Sequence, residues 1–598
     1  MGRRSISRLG ERVSRILLSG NEAVAQGAWE AGAEVGVAYP GTPSTETMQR
    51  FSELPDVYAE WAPNEKVALE VAAGVSFAGK RVLVTNKHVG LNVAADPLFT
   101  LTYTGVRGGL VILVADDPGM HSSQNEQDSH NYAAFARVPM LDPCDSQEAL
   151  EFTRTAFDLS EQFDTPVLVR STVRISHAKS PVDTGDRVTR EAPGSYTTNP
   201  AKWVMMPAMA RGRRHVVDER TRQLVQFAET TPLNRAEIRD TSYGVVCAGV
   251  VYQYVREGLP EASTLKLGLT FPLAENQVKE FAAAVDTLYV IEEADDYLAR
   301  TIRSMGVEVT PLDLPVFGEL SPGLIRRALG LEPPAVREAD ETLPPRPPLM
   351  CPGCPHRPVF DAFRKMRAVV TGDIGCYTLG ALRPLAAMDT CVCMGASVGM
   401  AHGAELAGGF PDRPVIAVIG DSTFAHSGVL GLINTVYNRG KGTVVILDNR
   451  ITAMTGHQGN PVNGITLQGR EGRELDLLAL CNAIGVDRVR LEDPHDLSAV
   501  RSALEEETAQ TEELSVIIFR APCALLVKDK GDPYAVDDES CTKCGLCVKL
   551  GCPAIGRDET TRVAYIETDL CVGCGQCVQV CKYGAIVHTG PACDLGVV

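Results

Sequence analysis

Eight cysteines fall between Cys541 and Cys581 of a chain that holds eighteen in all. They read Cys541-x2-Cys544-x2-Cys547-x4-Cys552 and then Cys571-x2-Cys574-x2-Cys577-x3-Cys581. In a reducing compartment such clustering favours metal or cluster ligation over disulfides. A compact CxxCxxC run can wrap three corners of an iron–sulfur cubane. The fourth corner must then come from a distant cysteine, which ties the two halves together. Zinc ribbons use paired CxxC units rather than triplets, so the spacing points to clusters. Two cubanes side by side form an electron wire, not a catalyst. The chemistry that feeds or drains the wire must lie elsewhere in the chain or in a partner.

The tail resembles the two-cluster bacterial ferredoxins, in which three close cysteines bind one cluster and the fourth binds the other. Carried over, one 4Fe–4S cluster takes Cys541, Cys544, Cys547 and Cys581. The second takes Cys552, Cys571, Cys574 and Cys577. The sequence departs from that pattern in the x4 gap before Cys552 and in Lys582 after Cys581, and neither change removes a ligand.

A second constellation is Gly420-Asp421-Ser422 followed, 25 residues on, by Asp448-Asn449. It resembles the paired motif of thiamine diphosphate enzymes. Gly420 would let the backbone approach a diphosphate at a strand end, where a helix N-terminus favours anions. Asp421 offers a hard carboxylate to Mg2+, and the next strand returns Asn449 to the same end of the sheet. The resemblance makes the main-chain carbonyl of Ile451 the third protein ligand and places Met394-Gly395 near the cofactor. Close helix packing by small residues explains Met394–Ser397 equally well. Ser422 and Asp448 stand where the motif usually has Gly and Asn. A thiamine site also needs a carboxylate at the aminopyrimidine. The candidate is Glu65, at the start of a helical stretch, with Glu70 the runner-up. For either, the plain alternative is an acid near a helix N-terminus.

Thiamine and cluster motifs in one chain resemble the 2-oxoacid:ferredoxin oxidoreductases. Tyr39–Pro43, Asn64–Gly74, Val89–Val93, Asp116–Gln124 and Cys351–His356 sharpen the likeness toward the large alpha subunit of the type that acts on indolepyruvate. The resemblance implies oxidative decarboxylation of an aryl pyruvate with coenzyme A, giving an aryl-acetyl-CoA, CO2 and two electrons for ferredoxin. It matches Thr42 to a threonine near the substrate carboxylate, although a turn cap before Pro43 serves equally. Lys87, His88, His121, His426 and His457 are further site candidates, and for each histidine a structural or surface role is the plain alternative. In related enzymes CPGC and a later cysteine help bind a cluster near thiamine. Here Cys351, Cys354 and Cys376 match, no fourth ligand is placed, and free thiols remain the alternative. Cys391 and Cys393 are near in sequence, while Cys144, Cys247, Cys481, Cys523 and Cys593 read as small buried hydrophobes or incidental thiols.

A domain tied to coenzyme A in the related enzymes is missing from the sequence. The resemblance therefore implies a small beta subunit, in a pair of heterodimers. Three other readings stay open. One is a ferredoxin oxidoreductase for another 2-oxo acid such as pyruvate. Another is a non-oxidative decarboxylase with a regulatory tail. The last is an electron-transfer subunit with a vestigial thiamine site.

These groups need scaffolds, and 598 residues suffice for roughly four domains. Apolar residues make up 44% and charged residues 22%, an ordinary globular balance. The net charge of −18 argues against nucleic acid. No apolar run is long enough for a membrane span. Ile16-Leu17-Leu18 is too short for a signal peptide, and Ile6 breaks the myristoylation pattern, so the expectation is cytoplasmic. Apolar runs at Val35–Ala38, Arg81–Thr85, Gly109–Ala115 and Pro166–Arg170 alternate with helical stretches, as in a parallel sheet under helices. The predicted class is α/β. It comprises a pyrimidine-binding domain (1–185), a connector (186–242), a smaller α/β middle domain (243–331) and a Pro-rich linker (332–350). A diphosphate/Mg-binding domain (351–530) and a ferredoxin-like α+β tail (532–598) follow. The basic stretch Arg211–Arg214 reads as part of a solvated connector.

Overall fold

A computed structural model describes residues 14–190, 194, 198–335, 347–410 and 412–589. The first residues of the chain, most of the Pro-rich linker and Cys593 lie outside the described residues. The chain divides into two units, 1–339 and 340–598.

In the first unit, continuous apolar runs become the buried strands of a seven-stranded sheet. Its order across the sheet is Leu269–Phe271, Met140–Leu141, Val167–Thr172, Leu110–Asp116, Val82–Lys87, Val35–Ala38 and Tyr58–Trp61. All neighbours are parallel except the first pair, where Leu269–Phe271 runs antiparallel to Met140–Leu141. The middle part of the chain thus lends an edge strand to the N-terminal sheet. Ala68, Leu69 and Ala72 of the helix Glu65–Phe77 pack on Val82, Val84 and Ile112 in one apolar cluster. A second, four-stranded sheet is ordered Leu288–Val290, Asp240–Ala248, Ala262–Leu267 and Arg235–Glu237.

The segment expected to be a solvated connector carries a 22-residue helix, Pro207–Ala228. Arg213 and Arg220 donate to the main-chain oxygens of Tyr103, Thr104, Thr102 and Asp164, and Val217, Leu224 and Ala228 are buried. The basic stretch is therefore partly a clamp on the first sheet domain, because arginine can fill a core position when carbonyls take its donors.

The second unit centres on a six-stranded parallel sheet. Its order is Thr390–Cys391, Val369–Gly372, Val415–Gly420, Gly442–Asp448, Leu514–Arg520 and Arg488–Glu492. The tail has two small antiparallel ladders, Tyr534–Val536 with Ile586–His588 and Ile555–Arg557 with Ala564–Ile566. Short helices at Leu546–Lys549 and Gln576–Val580 carry the third cysteine of each triplet, Cys547 and Cys577. Among the described residues no helix is long and apolar enough to cross a membrane.

Candidate active site and cluster sites

In the second unit the strand register sets the geometry. Gly420 lies beside Leu447, so Asp421 and the Asp448-Asn449 pair leave adjacent parallel strands at one edge of the sheet. Carboxyl ends of parallel strands are where such sheets bind ligands. Asp421 opens a helical turn and is buried. Its Oδ1 accepts from the Ser422 amide at 2.7 Å, while its Oδ2 is buried with no hydrogen-bond partner among the described residues. Burial first, and then the neighbouring Asp448, push the Asp421 carboxyl well above the usual range. A buried acceptor without a donor, beside a second carboxylate, is suited to a divalent cation, so the donor set fits Mg2+.

Asn449 is buried next to His356, its Nδ2 3.5 Å from His356 Nε2, and its Oδ1 accepts from the Ile451 amide at 3.3 Å. Asp448 accepts from Arg520 Nε at 2.6 Å, an ion pair that accounts for a carboxylate where the motif usually has an amide. Ser422 Oγ accepts from Thr452 Oγ1 at 2.9 Å. Met394 and Gly395 come to the same edge through Asp373. Its carboxylate accepts from the amides of Gly395 and Ser397, and Ser427 Oγ donates to the Met394 carbonyl. Asp373 had no motif to reveal it; the only sequence signal is an acid directly after the strand Val369–Gly372.

In the first unit Glu65 and Glu70 separate. Glu65 is the first residue of its helix, capped by the Asn64 side chain on the Val67 amide, and it is buried. Its carboxylate lies against Gly90, where a Cβ would stand 2.6 Å from Glu65 Oε1, so only glycine leaves the carboxylate its place. Glu70 is exposed and paired with Lys66. Lys87 ends the strand Val82–Lys87 and donates from Nζ to the Ser122 carbonyl at 2.5 Å. Burial lowers its ammonium to about 8, opposed by Asp117 and Glu65. Asp117 accepts from the backbone of His121 and Ser122 and from the Ser122 and Ser123 hydroxyls. Ser122 Oγ also reaches the Thr42 carbonyl at 3.3 Å. Thr42, Lys87 and the Asp116–Gln124 loop therefore meet at one place. Among the histidines, His88 is buried on the Asn125 carbonyl, His426 is buried beside Ser427, His121 faces Glu319, and His457 is exposed.

The tail sorts its thiols into two cavities. Cys541, Cys544, Cys547 and Cys581 line one, among Val536, Ala564 and Ile586. Cys552, Cys571, Cys574 and Cys577 line the other, with Leu550, Ile566 and the Pro352-Gly353 turn. Among the described residues no three Cys, His, Asp or Glu side chains converge closely enough to hold a single metal ion. Four thiols around an apolar cavity are a donor set that fits an iron–sulfur cubane.

Cys351, Cys354 and Cys376 lie within electrostatic reach of one another and of Cys523, a residue that sequence spacing did not single out. Burial raises the Cys376 thiol to about 11, and the charges of Cys523 and Cys351 add to it. Cys523 follows the strand Leu514–Arg520 and donates its amide to the Asn449 carbonyl at 3.0 Å. Cys391 and Cys393 are exposed and feel Asp373 rather than this group.

Comparison with known proteins gives the same picture along the chain. A family model described as pyruvate flavodoxin/ferredoxin oxidoreductase, thiamine diP-binding, matches residues 26–237. The C-terminal TPP-binding domain of thiamine pyrophosphate enzymes matches 373–519, and a 4Fe-4S binding domain matches 564–587. The indolepyruvate oxidoreductase subunit IorA of Thermococcus kodakarensis is 38% identical, covering 96% of this chain and 96% of that one. The subunit of the same name from Methanothermobacter marburgensis is 39% identical over 97% and 98%. A ketoisovalerate oxidoreductase subunit VorB from Methanothermobacter thermautotrophicus is 26% identical over only 28% of this chain and 50% of that one. Parallel-sheet thiamine domains, a cluster tail and full-length likeness agree, and the chain belongs to the indolepyruvate oxidoreductase alpha-subunit family of thiamine- and iron–sulfur-dependent 2-oxoacid:ferredoxin oxidoreductases.

Proposed function

We propose that the chain oxidatively decarboxylates aryl pyruvates, indolepyruvate first among them, with coenzyme A as acyl acceptor and ferredoxin as electron acceptor. The observation that carries this is the union, in one chain, of the buried Asp421–Asn449 edge with two four-cysteine cavities. The substrate class is supported by the relatives. Those named for indolepyruvate match throughout, whereas the one named for ketoisovalerate matches over 28% of the chain. A small beta subunit, in paired heterodimers, supplies the coenzyme A function.

Asp421, Asn449 and the Ile451 carbonyl hold Mg2+, and Gly420, Ser422, Met394 and Gly395 seat the diphosphate end of the cofactor. Bound thiamine diphosphate supplies the electron sink for loss of CO2. Glu65 is the buried carboxylate that would hold a proton toward the aminopyrimidine of bound thiamine diphosphate. Thr42 orients the substrate carboxylate, and Lys87 fixes the Ser122 loop beside it. Cys541, Cys544, Cys547 and Cys581 bind one cluster, and Cys552, Cys571, Cys574 and Cys577 bind another. Cys351, Cys354, Cys376 and Cys523 form a third thiol set beside Asn449, placed to take a cluster where electrons leave the thiamine site.

The test is an anaerobic assay of the chain co-expressed with its small subunit, supplied with thiamine diphosphate, Mg2+, coenzyme A and a viologen dye. Dye reduction with indolepyruvate and little with pyruvate is the expected result. Preference for pyruvate would overturn the aryl assignment and leave the reaction class standing.

A further inference from the structure

The side chain of Arg357 is fully buried at the start of the helix His356–Met366, immediately after the CPGCP turn. Its guanidinium joins two parts of the second unit through main-chain carbonyls alone. Nη2 donates to Met350 at 2.7 Å and to Cys351 at 2.8 Å, on the turn. Nη1 donates to Leu550 at 3.4 Å and to Gly551, directly before Cys552 in the tail. Among the described residues no carboxylate pairs with it, and its Nε is buried without a hydrogen-bond partner. A buried cation without a counter-ion is costly unless negative charge lies close by. Because one side of the fork is held by the Cys351 carbonyl and the other by Gly551, next to Cys552, the guanidinium stands between two cysteine groups.

The contact beneath it is close. A Cβ on Gly353 would lie 2.4 Å from Val572 Cγ2, so the tail sits hard against the turn. Gln576, buried in the tail helix, donates from Nε2 to the Cys354 carbonyl at 3.1 Å and adds a neutral clasp at the same seam.

We propose that Arg357 is a positioning residue for electron transfer, whose buried charge is the counter-charge of the cluster held by Cys552, Cys571, Cys574 and Cys577 and raises that cluster's reduction potential. The inference rests on the reading that this cavity binds a cluster. A bound cluster that took one electron from a donor, the donor being oxidised by one electron, would gain one negative charge beside Arg357. A fixed positive charge stabilises the more negative, reduced cluster, and net charge and hydrogen bonding are among the recognised levers on such potentials. The other tail cavity, lined by Cys541, Cys544, Cys547 and Cys581, includes no residue of the turn. Its potential should be indifferent to Arg357.

The experiment is an anaerobic redox titration followed by electron paramagnetic resonance, on the complex with its small subunit, with iron and sulfide measured on each sample. Wild type is compared with Arg357→Gln, Arg357→Lys and Gln576→Leu. Arg357→Gln should move the midpoint of the cluster at Cys552, Cys571, Cys574 and Cys577 downward and leave that of the cluster at Cys541, Cys544, Cys547 and Cys581 in place. Arg357→Lys, which keeps the charge but not the fork, should stay near wild type, as should Gln576→Leu. Unchanged midpoints in Arg357→Gln with full iron would overturn the proposal. An equal downward shift in Gln576→Leu would do the same, by assigning the effect to seating. If Arg357→Gln loses its cluster, Arg357→Lys decides alone, and a marked shift there contradicts the role of charge. Wild type without iron and sulfide would sink the cluster reading and this inference with it.

Discussion

Glu65 and Glu70, five residues apart on one helix, have opposite surroundings. Glu65 is buried against Gly90, and Glu70 is in solvent with Lys66. Glu65→Gln should lower the turnover number by about 10²–10⁴, the usual span for a proton-transfer group, with thiamine retention intact. Glu70→Gln should change little. Steady-state kinetics beside bound-thiamine measurements check both. Lys87 makes a second prediction at this scale. Because burial lowers its ammonium to about 8, the folded chain binds fewer protons there than the unfolded chain between about 8 and the ordinary value of 10.5. The full cost of burying the charge is therefore present below about 8 and fades as pH rises through that window. Competitive amine labelling followed by peptide mass spectrometry should find Lys87 half-reactive near 8, well below the surface lysines.

Strands and helices explain why some of this could be read in advance. Leu110–Ala115 and Val415–Ile419 are unbroken apolar runs, and a strand buried on both faces writes itself that way. The helix Pro207–Ala228 was hidden because one of its four buried positions, Val217, Arg220, Leu224 and Ala228, is an arginine. The 3–4 spacing is present, but hydropathy cannot see a buried guanidinium that spends its donors on carbonyls. Asp373 was illegible for a related reason: it holds the Gly395 loop by hydrogen bonds to amides, which leave no mark on residue type. The departure at Asp448 has an element-level meaning, since its carboxylate ties the end of one strand to Arg520 at the end of the next. Asp448→Asn restores the common motif yet should destabilise the second unit by about 1–3 kcal/mol, by leaving Arg520 without its anion. Denaturant unfolding of the variant against wild type measures it.

At the scale of the whole chain, distance in sequence was the main obstacle. The eight tail cysteines announce themselves by spacing, whereas Cys523 stands 147 residues after Cys376 and meets its group only because the sheet order brings the end of Leu514–Arg520 to that edge. If the third thiol set binds iron, Cys523→Ser should lower iron and acid-labile sulfide by one cluster's share. Cys391→Ser and Cys393→Ser should not. Elemental analysis of the anaerobically purified complexes decides between them.

The antiparallel strand Leu269–Phe271 sets a schedule for synthesis. When Val167–Thr172 has left the ribosome, the N-terminal sheet has six of its strands, and the edge at Met140–Leu141 stays open. The strand that covers it lies about a hundred residues downstream, a delay of roughly 5–20 s at ordinary translation rates. Through that interval the nascent chain presents unpaired amides and carbonyls to any extended segment nearby. Slowing translation between 172 and 271 should therefore raise chaperone demand more than slowing it anywhere in the second unit.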